Sequence, residues 1–277
     1  MLRRPAVAGY FYEGSEKALR RQVESFILPA TERIGAIGIV VPHAGLMYSG
    51  SVAGAVYSRV ELPASVVLIG PNHTGLGAGI SLMPKGSWET PLGMVGIDEE
   101  LAAAILARSP RIRDDSLAHL REHSLEVQLP FIQYFKQDIR IVPIQMLDVR
   151  LETCREVGQA VAGAIAEVKS ALRTPHSAIN DVLIVASSDM THYESAREAR
   201  EKDEKAIQEV LRLDPEGLYR TVRDLSISMC GFGPAVAMLT ASKALGATRA
   251  ELVTYTNSGE VSGDLEKVVG YAGIVIM

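Results

Sequence analysis

An α/β architecture, with a mostly parallel central sheet and helices on both faces, is expected for this 277-residue chain. Three observations point to it. Short β-branched runs alternate with longer helical patterns, as a succession of βαβ units requires. The strand segments are near-continuous apolar runs, as strands covered on both faces must be. Three of these runs end in polar, histidine-bearing turns, and ligands in open α/β sheets collect beyond the carboxyl ends of the strands.

In chain order, 15–26 has a helical pattern, and 36–41 is an apolar strand running into Pro42-His43-Ala44-Gly45. A helix over 50–59 leads to the strand 65–70, which runs into Pro71-Asn72-His73-Thr74-Gly75. The segment 75–96 is rich in Gly and Pro and holds the only tryptophan, Trp88. It reads as a hairpin or loop lying over a site, with a weaker, antiparallel strand at 79–83. Asp98 precedes helix formers and predicts an N-cap for a helix over 98–108. A helix over 123–135, a strand at 139–146 and a helix over 151–172 follow, then a surface loop at 173–177. The strand 182–188 runs into Asp189-Met190-Thr191-His192-Tyr193. Helices over 195–211 and 234–245, a further helix start at Asp214-Pro215, and strands at 250–255 and 271–276 complete the chain. The polar glycine segment 257–264 reads as turns. With no low-complexity linker and no internal repeat, 1–277 is expected to be a single domain.

Hydrophobic residues make up 47 % of the chain, and the mean hydropathy of +0.13 allows a sizeable core. A formal charge of −5 gives no general attraction to nucleic acid or to an anionic membrane. Lys and Arg are scattered, apart from short clusters such as Arg3-Arg4. Two cysteines do not make a disulfide framework, and a reducing, cytoplasmic setting is expected. The N-terminal residues lack the apolar stretch of a signal peptide, and no run reaches the roughly 18 apolar residues of a membrane helix.

His43 and His73 hold equivalent places after their strands. Neutral imidazole is the commonest ligand of divalent transition metals, so two strand ends can present two imidazoles to one ion. Each alone could equally cap a turn. Cys230, in Ser228-Met229-Cys230-Gly231-Phe232-Gly233-Pro234, stands just before a helix, whose N-terminus favours thiolate over thiol. It is a candidate metal ligand or nucleophile; the alternative is an inert buried cysteine. Cys154, mid-helix, reads as structural. Asp189 and His192 lie within one turn of each other. A carboxylate there can fix the imidazole tautomer for acid–base work, unless Asp189 merely caps the next helix. His123 shares a helix face with Glu126 if that segment is already helical. His119 and His176 are expected at the solvated surface. Phosphate-binding glycine loops, CxxC pairs and G-x-S-x-G elbows are absent from the sequence.

Taken together, these motifs resemble the Memo family (mediator of cell motility, with the archaeal and bacterial AmmeMemoRadiSam system protein B). The likeness rests on Arg4-Pro5-Ala6-Val7-Ala8-Gly9-Tyr10-Phe11-Tyr12, the turns at His43 and His73, Glu-His-Ser-Leu-Glu at His123, Ser-Ser-Asp-Met-Thr-His-Tyr through Asp189, and Met-Cys-Gly at Cys230. It closes with Ser-Gly-Asp and Val-Val-Gly-Tyr-Ala near the C-terminus and so spans nearly the whole chain. The resemblance implies a fold similar to class III extradiol dioxygenases, which use non-haem iron(II). On that basis His43 and His73 match the two histidine ligands, and His123 and His192 match the two pocket histidines. Cys230 stands where a third, usually carboxylate, ligand would be. A thiolate is softer and suits Cu(I) or Zn as well as Fe(II), and it is itself oxidisable.

The expected function is therefore a metal-dependent oxidoreductase: Fe(II), with Cu or Zn as alternatives, on His43, His73 and Cys230, with Asp189, His192 and His123 as acid–base or orienting groups. One rival is a non-catalytic module binding a peptide or small ligand in the same pocket. The other is a metallohydrolase using metal-bound water.

Overall fold

The structure is a computed structural model that describes residues 1–29, 32–171 and 182–277. In chain order its elements are β1 (Leu2–Arg3), α1 (Glu16–Glu24), β2 (Gly38–Val41), α2 (Leu46–Arg59), β3 (Ser65–Pro71), β4 (Ile80–Leu82), β5 (Ser87–Thr90), β6 (Gly93–Ile97), α3 (Glu99–Leu106) and β7 (Ile112–Asp114). There follow α4 (Leu129–Phe135), β8 (Arg140–Met146), α5 (Leu151–Ala171), β9 (Val182–Ser187), β10 (His192–Glu194) and α6 (Ala196–Leu211). The remainder is α7 (Pro215–Asp224), α8 (Phe232–Ala244), β11 (Ala250–Asn257), α9 (Gly259–Ser262) and β12 (Val268–Ile276).

Five neighbouring strands, β6-β8-β3-β9-β2, form the parallel heart of one large sheet. Antiparallel pairing is confined to its margins: β5 on β6, β4 on β8, and β12 with β2, β10 and β11. β2, β3 and β9 are buried throughout, which is why they read as unbroken apolar runs rather than alternating ones. Close approaches fix the two helical layers. A Cβ at Gly38 would meet Met238 and Ser242 of α8, whereas one at Gly273 would meet Val52 and Val56 of α2. The register of β2 and β12, Val40 opposite Ile274, puts these two helices on opposite faces.

The capping expectations hold. Asp98 accepts the Leu101 N–H and Asp214 accepts the Gly217 N–H, so each aspartate satisfies one orphan donor of a first turn. Three expectations need correcting. The helix expected over 123–135 becomes α-helical only at Leu129, after a 3₁₀ turn at Glu126–Gln128. The Glu122 carboxylate already accepts the His123 and Ser124 N–H groups, and Pro130 favours the first turn of a helix. The segment 75–96 does form a hairpin, β5–β6, but at the sheet margin, with Trp88 buried beneath Arg3 and beside His119. His119, expected in solvent, is fully buried edge-on against Trp88. Burial and the nearby Arg3 hold its pKa down to about 4, so it sits there neutral. His176 and the loop at 173–177 lie outside the described residues.

The N-terminal segment is tied to the same region by a buried network. Arg3 is fully buried and pairs with the equally buried Glu126. It also donates to the Glu122 carbonyl (2.6 Å) and the His119 carbonyl (3.0 Å), and its guanidinium lies 4.3 Å over the Trp88 ring. Glu126 accepts in addition from the Ala6 and Val7 N–H groups and the Tyr12 hydroxyl. It turns toward the N-terminal segment, and the condition for it to share a helix face with His123, that the segment be already helical at His123, is not met.

Candidate metal centre

β3, β9 and β2 lie side by side in parallel. Their last residues are Pro71, Ser187 and Val41, so His73, Asp189 and His43 each stand two residues past a strand end. Equal overhang on adjacent parallel strands places all three side chains at one end of the sheet. His123 arrives from a separate segment, held there because Ser124 donates to the Pro71 carbonyl (2.8 Å) at the end of β3. Ligand atoms of His43, His73 and His123 all lie within 4.8 Å of one another. Two nitrogens sharing one ion through bonds of roughly 2.1 Å span at most about 4.2 Å, so small side-chain adjustments suffice to seat an ion. The three rings lie 4.9–5.6 Å apart, centroid to centroid.

Hydrogen bonds behind two of the rings orient them. Ser187 Oγ gives its proton to the Ser124 carbonyl (2.6 Å) and accepts from Gln128 Nε2 (2.8 Å). It can therefore only accept from His43 Nδ1, 2.9 Å away, which leaves the lone pair of His43 on Nε2. His73 Nδ1 donates to Glu122 Oε1 (2.9 Å), and His123 Nδ1 lies 3.3 Å from the same oxygen. Glu122 is fully buried. Burial raises its pKa, but the hydrogen bond and charge of His73 and the Ser124 N–H outweigh it and bring the value down to about 2. An ionised carboxylate behind two imidazoles fixes their orientation and raises their basicity, an arrangement that typically supports metal-bound histidine. Burial, with the neighbouring His123 and His73, pushes the His43 pKa well below the ordinary imidazole value. His43 is thus held neutral with its lone pair on Nε2, and three converging imidazoles are a donor set that fits a divalent transition metal.

Cys230 lies beside this cluster, with Sγ 3.4 Å from His43 Nε2. A thiolate and an imidazole on one tetrahedral ion sit about 3.6 Å apart, so the pair already has the spacing of two donors. Gly231 lets the N-terminus of α8 approach this closely, since a Cβ there would lie 2.3 Å from the Ser187 carbonyl oxygen. The expectation of a lowered thiol pKa is corrected by the structure. Burial, reinforced by the Asp189 carboxyl, pushes it up and outweighs the helix terminus. Cys154 is buried in α5, with its thiol pushed up to about 12 by burial, as a structural cysteine should be.

The expected Asp189–His192 pairing is not made. Asp189 Oδ1 accepts the backbone N–H groups of His43 (2.7 Å) and Ala44 (3.3 Å), latching the His43 turn to the end of β9. Burial raises the Asp189 pKa above the ordinary carboxylate value. His192 Nδ1 donates instead to the Ser228 carbonyl (2.9 Å), which places its lone pair on Nε2. Glu122 is the site residue that the sequence reading missed. It falls inside the quoted Glu-His-Ser-Leu-Glu motif, and a carboxylate adjacent to a candidate histidine was the available signal. In the segment 257–264, expected to form turns, Asn257 closes β11 and Gly259–Ser262 form the short helix α9.

Comparison with known proteins finds relatives along nearly the whole chain. A family model described as "Memo-like protein" matches residues 3–275. A MEMO1 family protein of Methanothermobacter thermautotrophicus is 46 % identical, covering 98 % of this chain and 99 % of the relative. One from Aquifex aeolicus is 44 % identical over 100 % and 99 %, and one from Pyrobaculum aerophilum 41 % identical over 99 % and 98 %.

Proposed function

The chain belongs to the Memo family, and from that premise we propose that it is a metal-dependent oxidoreductase of the non-haem iron type. His43, His73 and His123 serve as imidazole donors, with the Cys230 thiolate beside His43 as a fourth. The observation that carries the reading is the convergence of three imidazoles, with ligand atoms within 4.8 Å of one another and the Cys230 thiol 3.4 Å from His43 Nε2. Fe(II) is the favoured ion, with Cu and Zn as the alternatives that a thiolate admits. When bound, such an ion supplies Lewis-acid and one-electron chemistry at its open positions. Around it, Asp189, with its raised pKa, is suited to hold a proton at the His43 side, while His192 Nε2 is free to accept one. His73 and His123 are the partly exposed members of the cluster, at 35 % and 24 % of their side chains, and mark the side from which a small molecule enters. Among the described residues no helix is long and apolar enough to cross a membrane, and both cysteines are free thiols, which supports the cytoplasmic reading.

Reconstitution with Fe(II) under nitrogen, followed by nitric oxide and electron paramagnetic resonance, tests this reading. The expected result is an iron–nitrosyl signal that is lost in His43→Ala and altered in Cys230→Ala. A chain that gives no adduct yet still binds a peptide or small ligand would overturn it in favour of a binding module.

A further inference from the structure

Helix α6 reads as a solvated, highly charged helix, Ala-Arg-Glu-Ala-Arg-Glu-Lys-Asp-Glu-Lys, yet Asp203 in its middle is fully buried. Its Oδ1 accepts the N–H of Thr191 (2.9 Å) and its Oδ2 accepts the hydroxyl of Tyr255 (2.7 Å). Room for the carboxylate is made at Gly270, where a Cβ would lie 2.0 Å from Oδ2. Gly270 also stitches the segment before His192 to β12: its N–H donates to the Thr191 carbonyl (2.9 Å), and its carbonyl accepts the Met190 N–H (2.8 Å). Asp203 takes the N–H of Thr191, so this residue is held at both its polar backbone groups. On the far side, His192 is fastened by Ser228, whose Oγ accepts its N–H (2.7 Å) and whose carbonyl accepts Nδ1–H (2.9 Å).

The residue that follows makes this anchorage significant. Tyr193 has φ +63°, a left-handed conformation that a bulky aromatic rarely adopts, while its side chain is 75 % exposed. Packing of the ring therefore does not hold the strained backbone. Such conformations persist only where the surroundings over-determine them, and they gather at functional sites. The over-determining contacts are the pairing of His192 with Val269 and of Glu194 with Val268 on either side of Tyr193, and, ahead of it, the hydrogen bonds to Asp203, Gly270 and Ser228. A buried carboxylate is an expensive way to satisfy a single amide, but a stiff one.

We infer that Asp203 is a positioning residue that, through Thr191, holds at a fixed angle and tautomer the His192 imidazole that the proposed function assigns to the metal centre. The inference rests on the reading above, in which His192 serves that centre. Long-range ¹H–¹⁵N spectroscopy of histidine-labelled protein reads it directly. In the wild type, His192 should be a single Nδ1–H tautomer. In Asp203→Ala, the His192 signals should move to the average of a tautomer mixture and its modification by diethylpyrocarbonate should quicken several-fold, with His43 and His73 signals unchanged. Asp203→Asn, whose amide can still accept from Thr191 and donate to the Tyr255 oxygen, should restore the wild-type spectrum. A folded Asp203→Ala protein with His192 unchanged overturns the inference. Should that variant not fold, Tyr255→Phe frees one carboxylate oxygen without emptying the site and must shift His192 in the same direction; no shift there also overturns it. Fe(II) binding measured on the same samples separates the two claims, because its absence from the wild type defeats the metal reading and leaves the His192 spectra to decide this one.

Discussion

Glu122→Gln should lower metal affinity by about 10–100-fold, the usual effect of removing a supporting carboxylate from metal-bound histidine. The magnitude follows from the donors that Glu122 gathers. Oε1 accepts from His73 Nδ1, the His123 N–H and the Ser124 N–H, and Oε2 accepts the His73 N–H. Every partner is a donor. A glutamine has one acceptor oxygen and an NH₂ group, so one edge of the amide must face an N–H with another N–H. Turning the amide only chooses whether the His73 ring, with the His123 and Ser124 N–H groups, or the His73 backbone N–H loses its acceptor. Either His73 or its backbone loses its anchor, and a ring free to adopt the other tautomer presents N–H where the ion needs a lone pair. Titration with Co(II) followed by absorption would show the loss. Unchanged affinity would mean that the two rings are held by packing, in which case Glu122 is not part of the centre.

Arg3→Ala should be the most destabilising single change outside the centre, at about 3–5 kcal/mol, because it strands a buried carboxylate. Glu126 is fully buried, and among the described residues Arg3 is the only cation in its hydrogen-bond network; its other partners there are two backbone N–H groups and a phenol. The same substitution frees the carbonyls of His119 and Glu122 and uncovers Trp88. Urea unfolding should give this loss, and the double variant Arg3→Met with Glu126→Gln should lose far less than the sum of the single variants. Additive losses would show that the pair is not coupled. Because Arg3 and Glu126 bracket the segment carrying Glu122 and His123, partial unfolding there should weaken metal binding as well.

How far the centre was legible depends on the distance over which each residue's role is decided. His43, His73 and Asp189 are strand-end residues, and their convergence follows from adjacent parallel strands alone, so the local pattern sufficed. His123 could be noticed but not placed, because its position depends on Ser124 reaching the Pro71 carbonyl. Cys230 was found from its place at a helix start, yet the sign of its thiol shift was not, since burial by distant segments outweighs the local dipole. Arg3, His119 and Asp203 share one reason for being misread or passed over. In sequence each looks like ordinary surface polarity, and only the tertiary partners, Glu126, Trp88 and Thr191 with Tyr255, turn them into buried groups. The fold itself was legible because apolar runs and helix caps are local signals. The exceptions were the short margin strands β1, β7 and β10, which exist only by pairing with a neighbour.

The central claim is that the three imidazoles form one metal site. Equilibrium titration of chelator-stripped protein with Fe(II) under nitrogen tests it most directly, with the wild type run beside His43→Ala, His73→Ala and His123→Ala. The account predicts one tightly bound ion per wild-type chain and a large loss of affinity in each of the three variants. One tightly bound ion per chain retained in all three would contradict it.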